Sequence, residues 1–80
     1  MQGRDGNDVN IVIVNDSPYF LSLLENIVKS NRFNVYAKFT NAYSALDFIY
    51  KNIEEIDVIL LDLELPDMDG ISLIERILSK

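Results

Sequence analysis

Two aspartates at the ends of apolar runs are the residues of this 80-residue chain best equipped to do chemistry. Ile11-Val12-Ile13-Val14 runs into Asn15 and Asp16, and Val58-Ile59-Leu60-Leu61 runs into Asp62. Four apolar residues in a row read as a strand buried on both faces, as in parallel sheets. Open α/β sheets bind ligands beyond the carboxyl ends of such strands. A carboxylate placed there can attack phosphorus and form an acyl phosphate, provided charge is neutralised and the groups are aligned. Mg²⁺ does both, held by one or two carboxylates, waters and the phosphate. Asp16 and Asp62 are the minimum set for a metal and phosphoryl site. Without metal the pair repels: at ~5 Å and an effective dielectric of about 20, the cost is roughly 3 kcal/mol. Asp62→Asn is therefore expected to stabilise the metal-free protein.

The elements that must position this pair follow from pattern. Met1–Asn10 is polar and reads as a flexible leader before a single domain over 11–80. Ser17 is a good N-cap and Pro18 suits a first helical turn. Phe20, Leu24, Ile27 and Val28 then mark the apolar stripe of a first helix. Val35, Ala37 and Phe39 alternate with Tyr36 and Lys38, which makes the second strand an edge strand. Thr40-Asn41 caps a second helix over Ala42 to about Tyr50, with Leu46, Ile49 and Tyr50 inward, and Lys51–Glu55 connects onward. Val58–Leu61 is the third strand. Pro66 and Gly70 shape the loop that follows. Ile71, Ile74, Ile77 and Leu78 form one face of a third helix. The pattern βαβαβα predicts an α/β doubly wound parallel sheet with strand order 2-1-3. That order satisfies strand one but leaves the apolar strand three on an edge, which native chains normally cover. A further part of the domain, or a second copy in a homodimer, is expected to cover it.

Composition narrows the chemistry. The chain has no cysteine and no histidine, so thiolate zinc sites and the commonest general base are excluded. Carboxylate oxygens suit Mg²⁺ or Ca²⁺. A net charge of −6 argues against direct binding to nucleic acid. No apolar run is long enough for a membrane span and no signal peptide opens the chain, so a cytoplasmic protein is expected. An EF-hand loop ending at Gly70 would need an acid at Leu65. Asp67-Met68-Asp69-Gly70 is similar to the nucleophile motif of haloacid-dehalogenase phosphatases, but follows Pro66 in a loop and not a strand. No glycine-rich phosphate loop follows strand one. Asp67 and Asp69 read as solvated loop acids, or as partners of the dipole at the start of helix three. Tyr36 and Tyr43 read as half-buried packing residues.

The stretches IVIVNDSPYFLSLLENIV (11–28) and DVILLDLELPDMDGISLIERI (57–77) resemble the receiver domain of two-component response regulators. LDLELPDMDG is also similar to the receiver half of the chemotaxis methylesterases. The resemblance implies the first three βα units of a flavodoxin-like sheet. It implies that Asp62 is the phosphoryl acceptor in phosphorelay signalling, charged by a histidine kinase or a histidine phosphotransfer protein. Asp16 would bind Mg²⁺ directly, and the backbone carbonyl of Glu64 would be a further ligand. Asn15 stands where the family commonly has a second acid, so it would act through a metal-bound water and bind Mg²⁺ more weakly. The family's Ser or Thr ending strand four and Lys ending strand five match no residue of this sequence. The expected role is a signalling switch and not an enzyme. The alternatives are an interaction module that pairs through strand three, and a small Mg²⁺-dependent phosphatase.

Overall fold

The computed structural model describes residues 9–79. Three parallel strands, β1 (Asn10–Val14), β2 (Asn34–Phe39) and β3 (Val58–Leu61), form one sheet of order β2-β1-β3. Three helices, α1 (Pro18–Ser30), α2 (Ala42–Asn52) and α3 (Gly70–Leu78), complete a flavodoxin-like α/β arrangement. A single 3₁₀ turn, Ile53–Glu55, follows α2 in the stretch expected to be a plain connection. Residues 1–8 of the expected leader lie outside the described residues. Asn10, expected to belong to it, opens β1: its amide donates to Asp57 Oδ2 at 2.7 Å, and its side chain accepts from Asn34 Nδ2 at 2.8 Å. These bonds tie the amino ends of all three strands together. Among the described residues, no helix is long and apolar enough to cross a membrane.

β1 is the axis of the core, since Ile11 to Val14 are all buried. Period-two alternation sends Val12 and Val14 to one face, where they meet Ala45 and Ile49 of α2. Ile11 and Ile13 go to the other, against Val28 of α1. The half-polar β2 lies on an edge, as its alternation predicts. β3 is the other edge strand and is only half-buried.

Two helices rest on narrower stripes than the sequence suggests. On α1, Val28 is buried and Leu21 and Leu24 are half-buried, whereas Phe20 and Ile27 are 52% and 49% exposed. Ile27 instead borders an open apolar groove with Phe33, Val58 and Leu60. On α3 the buried residue is Leu73, which packs on Ala42 and Leu46 of α2 together with half-buried Ile77. Ile71, Ile74 and Leu78, placed inward by the periodicity, are exposed. The reason is the same in both cases. α1 packs toward β1 and β2 and α3 packs toward α2, so Ile27 on one face of the sheet and Ile74 and Leu78 on the other border the edge strand β3.

α1 ends in a Schellman motif. The Phe33 amide donates to Val28 O and the Arg32 amide to Lys29 O. Arg32 occupies the left-handed region at φ 66°. A side chain there costs about 1–2 kcal/mol, and glycine's extra unfolded freedom offsets roughly 0.5–1 of that. Arg32→Gly should therefore raise the melting temperature by a few degrees in a circular dichroism melt. A lower melting temperature would contradict this reading of the cap.

Candidate functional site

The site grows out of the strand register. Val14 of β1 lies opposite both Phe39 of β2 and Leu61 of β3. The ladder then continues one residue past the strands: the Asp62 amide donates to Val14 O at 2.9 Å, and the Asn15 amide to Phe39 O at 3.0 Å. Asp62 and Asn15 thus emerge side by side at the carboxyl edge of the sheet, with Asp16 next in the chain. Asn15 Oδ1 accepts from the Ser17 amide at 2.9 Å, and Ser17 in turn caps α1 through the Phe20 amide at 3.3 Å. These two bonds turn the chain sharply after β1 and leave Asp16 outermost and exposed.

Asp62 is half-buried, and its Oδ1 accepts from the Glu64 amide at 3.0 Å. This turn folds the Glu64 peptide back beside the carboxylate. Among the described residues, Asp62 Oδ2, the Asp16 carboxylate and the Glu64 carbonyl accept no hydrogen bond and meet no cation. Nor do three or more acidic, histidine or cysteine side chains converge anywhere among them. The residues at this edge offer two carboxylates, one amide side chain and one peptide carbonyl. That oxygen-only set fits a hard cation that keeps several waters, which is the habit of Mg²⁺.

The loop from Asp62 to Gly70 is built tightly. The Gly70 amide donates to Leu63 O at 2.8 Å, and Glu64 pairs with Asp69 across the loop's neck. Leu65 and Met68 pack against the cluster of Ala42, Leu46 and Leu73. Asp69 caps α3 through the Ser72 amide at 2.8 Å, as its place near the start of that helix suggested. Asp67 does something else. Its Oδ1 accepts from the Ala42 amide at 2.7 Å and its Oδ2 from the Tyr43 amide at 2.9 Å, so it serves the first turn of α2. No local sequence signal could reveal this, because the partners lie 24 and 25 residues away. Tyr43, read as half-buried, is 53% exposed, with the Arg76 guanidinium 5.9 Å from its ring centre.

The carboxyls of Asp67, Asp69 and Glu25 sit below their ordinary values. The amides of Ala42 and Tyr43 lower Asp67, and the amide and hydroxyl of Ser72 lower Asp69. The ammonium groups of Lys38 and Lys29 lower Glu25, which bridges β2 and α1. Groups held below their unfolded values stabilise the fold above those values, and that contribution disappears as pH falls through the folded ones. The melting temperature should therefore fall on acidification below about pH 4. The fall should be shallower in Asp67→Asn, which cannot titrate. A wild-type acid limb no steeper than the variant's would sink this assignment.

Residues 11–80 match the response regulator receiver domain, and the chain belongs to that family. It is 33% identical over 70 residues to the two-component response regulator ARR2 of Arabidopsis thaliana, covering 88% of this chain and 10% of that protein. It is 31% identical over 74 residues to the chemotaxis protein CheY of Listeria monocytogenes, covering 90% of this chain and 59% of the relative. Among solved structures, it matches a chain of the CheX-CheY-BeF3-Mg²⁺ complex from Borrelia burgdorferi. That match has a TM-score of 0.85 at 30% identity and covers 89% of this chain and 53% of the other. The chain thus spans from a tenth to about three fifths of the length of these relatives.

Proposed function

We propose that this receiver domain accepts a phosphoryl group on Asp62, with Mg²⁺ held by Asp16, Asp62 and the Glu64 carbonyl and steadied through water by Asn15. The donor is a histidine kinase or a histidine phosphotransfer protein. The observation that carries the reading is the register that brings Asn15, Asp16 and Asp62 to one sheet edge. An Asp62 carboxylate oxygen forms the new bond to phosphorus as the nitrogen–phosphorus bond of phosphohistidine breaks. The electron pair stays on the departing nitrogen, which takes up a proton, and an acyl phosphate remains on Asp62. Mg²⁺ supplies charge neutralisation at the phosphoryl oxygens. Asn15 provides no negative charge there, so its part is to orient water. The Glu64 amide, already bonded to Asp62 Oδ1, fixes the carboxylate's rotation and leaves Oδ2 to act. Signalling, and not turnover of a substrate, is the role this chemistry serves, and the site of action is the cytoplasm.

The test uses phosphoramidate, a small donor with the same nitrogen–phosphorus bond. Incubation with Mg²⁺ should add one phosphoryl group to the chain, localised to Asp62 by peptide mass spectrometry and removed by hydroxylamine. No adduct, or one on another residue, overturns the reading.

A second reading, a binding module working through β3, is favoured by the apolar surfaces on both sides of that strand. Ile59 and Leu61 join Ile74, Ile77 and Leu78 in an open groove on one face, while Val58 and Leu60 lie with Ile27 and Phe33 on the other. A dimer that forms without Mg²⁺ and survives Asp62→Ala is the result this reading requires.

A further inference from the structure

We propose that Asp67 is a positioning residue for the acceptor site: by clamping the first two amides of α2 it holds the β3–α3 loop in the shape that keeps the Asp62 carboxylate and the Glu64 carbonyl together. This rests on the acceptor reading above.

Asp67 takes the two α2 amides that the helix's own N-cap side chain leaves open. Asn41 already caps that helix, its Oδ1 accepting from the Ser44 amide at 2.9 Å. Asp67 adds a second cap from a loop far away in sequence, using each carboxylate oxygen on a different amide. A negative group at a helix amino end is favoured by the dipole as well as by the two bonds. What the loop gains is larger. Its inner half is closed by the Asp62–Glu64 and Leu63–Gly70 bonds. Its outer half, residues 65–68, includes Pro66, which has no amide to donate. Among the described residues, the Asp67 carboxylate is the one hydrogen-bonding group that joins this outer half to another element. Removing it leaves the apolar contacts of Leu65 and Met68, which hold the loop down without fixing its register.

The coupling runs both ways, because linkage is reciprocal. A ligand that gathers Asp62 and Glu64 stiffens the loop and thereby protects the Ala42 and Tyr43 amides. The first turn of α2, with exposed Tyr43, becomes a surface that senses occupancy at the sheet edge.

The experiment compares Asp67→Ala, Asp67→Asn and the control Asn41→Ala, which uncaps the same helix without touching the loop. Amide hydrogen exchange is read in the free protein, and the dissociation constant of beryllofluoride is read at fixed Mg²⁺. In Asp67→Ala we expect faster exchange at Glu64 and Gly70 as well as at Ala42 and Tyr43. Ligand binding should weaken about tenfold or more, the scale on which supporting groups affect metal sites. Asp67→Asn, which keeps the shape and one accepting oxygen, should fall between. Asn41→Ala should speed exchange at Ser44 and lower the melting temperature, yet leave Glu64, Gly70 and the dissociation constant as in the wild type. The inference is overturned if Asp67→Ala frays only α2, with loop exchange and affinity unchanged, or if Asn41→Ala matches it on every readout. A wild type that binds no beryllofluoride overturns the acceptor reading and the positioning role with it. That failure is distinct from one in which the wild type and Asp67→Ala bind equally well.

Discussion

Asp62→Asn is expected to erase the rise in melting temperature that Mg²⁺ with beryllofluoride should give the unaltered chain. Beryllofluoride mimics the phosphoryl group of an aspartyl phosphate and needs an anionic oxygen to attach to. A ligand present at a hundred times its dissociation constant stabilises the folded state by about 2.7 kcal/mol. For a domain of this size that is on the order of 10 °C in melting temperature. Asparagine keeps an oxygen for the Glu64 amide, so the turn after β3 stays closed and the fold survives. What it lacks is the second, charged oxygen. The ligand shift should therefore be lost completely, while the metal-free fold loses nothing. In EDTA the variant should melt at or slightly above the wild type. The structure reduces the gain expected from relieving repulsion: Asp16 is exposed, so the surroundings of the pair are closer to water. The cost at ~5 Å then falls to about 1 kcal/mol or less. A ligand shift that persists in Asp62→Asn would place the binding elsewhere.

The sheet was legible because its strands carry unambiguous patterns. Continuous apolar runs at 11–14 and 58–61 and alternation at 35–39 suffice to order three strands as β2-β1-β3. Once that order is known, Asp62 and the Asn15-Asp16 pair have nowhere to go but one edge, since parallel strands place their carboxyl ends together. Helix faces were less legible. Periodicity identified an apolar stripe on α3, but not that Leu73 would be its buried member and Ile71, Ile74 and Leu78 exposed. A stripe of Ile71, Ile74, Ile77 and Leu78 describes the helix alone. Which side of it becomes core depends on α2, whose Ala42 and Leu46 lie against Leu73. Asp67 shows the same limit for polar groups. Caps contributed by the preceding few residues, such as Ser17, Asn41 and Asp69, can be read locally. One contributed across the fold cannot.

Gly70→Ala should damage both the fold and the site, and for one reason. A Cβ at position 70 would lie 2.7 Å from Leu63 Cα and 2.9 Å from the Asp62 carbonyl oxygen. Both are backbone atoms, so no side-chain rotation relieves the contact. Gly70 has no positive φ, which rules out a conformational reason for the glycine and leaves close approach as the cause. The chain must open at the neck where the Gly70 amide meets Leu63 O, and that bond at 2.8 Å is the first to go. Overpacking of this kind costs about 1–3 kcal/mol. A domain of this length has roughly 4–12 kcal/mol in total, so the melting temperature should drop by about 10 °C. The displaced atoms belong to Asp62 and its neighbour, so the site moves with them. Ligand binding should weaken even at temperatures where the variant is fully folded. A purely structural role for Gly70 would lower the melting temperature and leave the dissociation constant for beryllofluoride unchanged. Titration at 10 °C, well below the variant's transition, separates the two. A lowered melting temperature with undiminished affinity would mean the neck of the loop yields without disturbing Asp62.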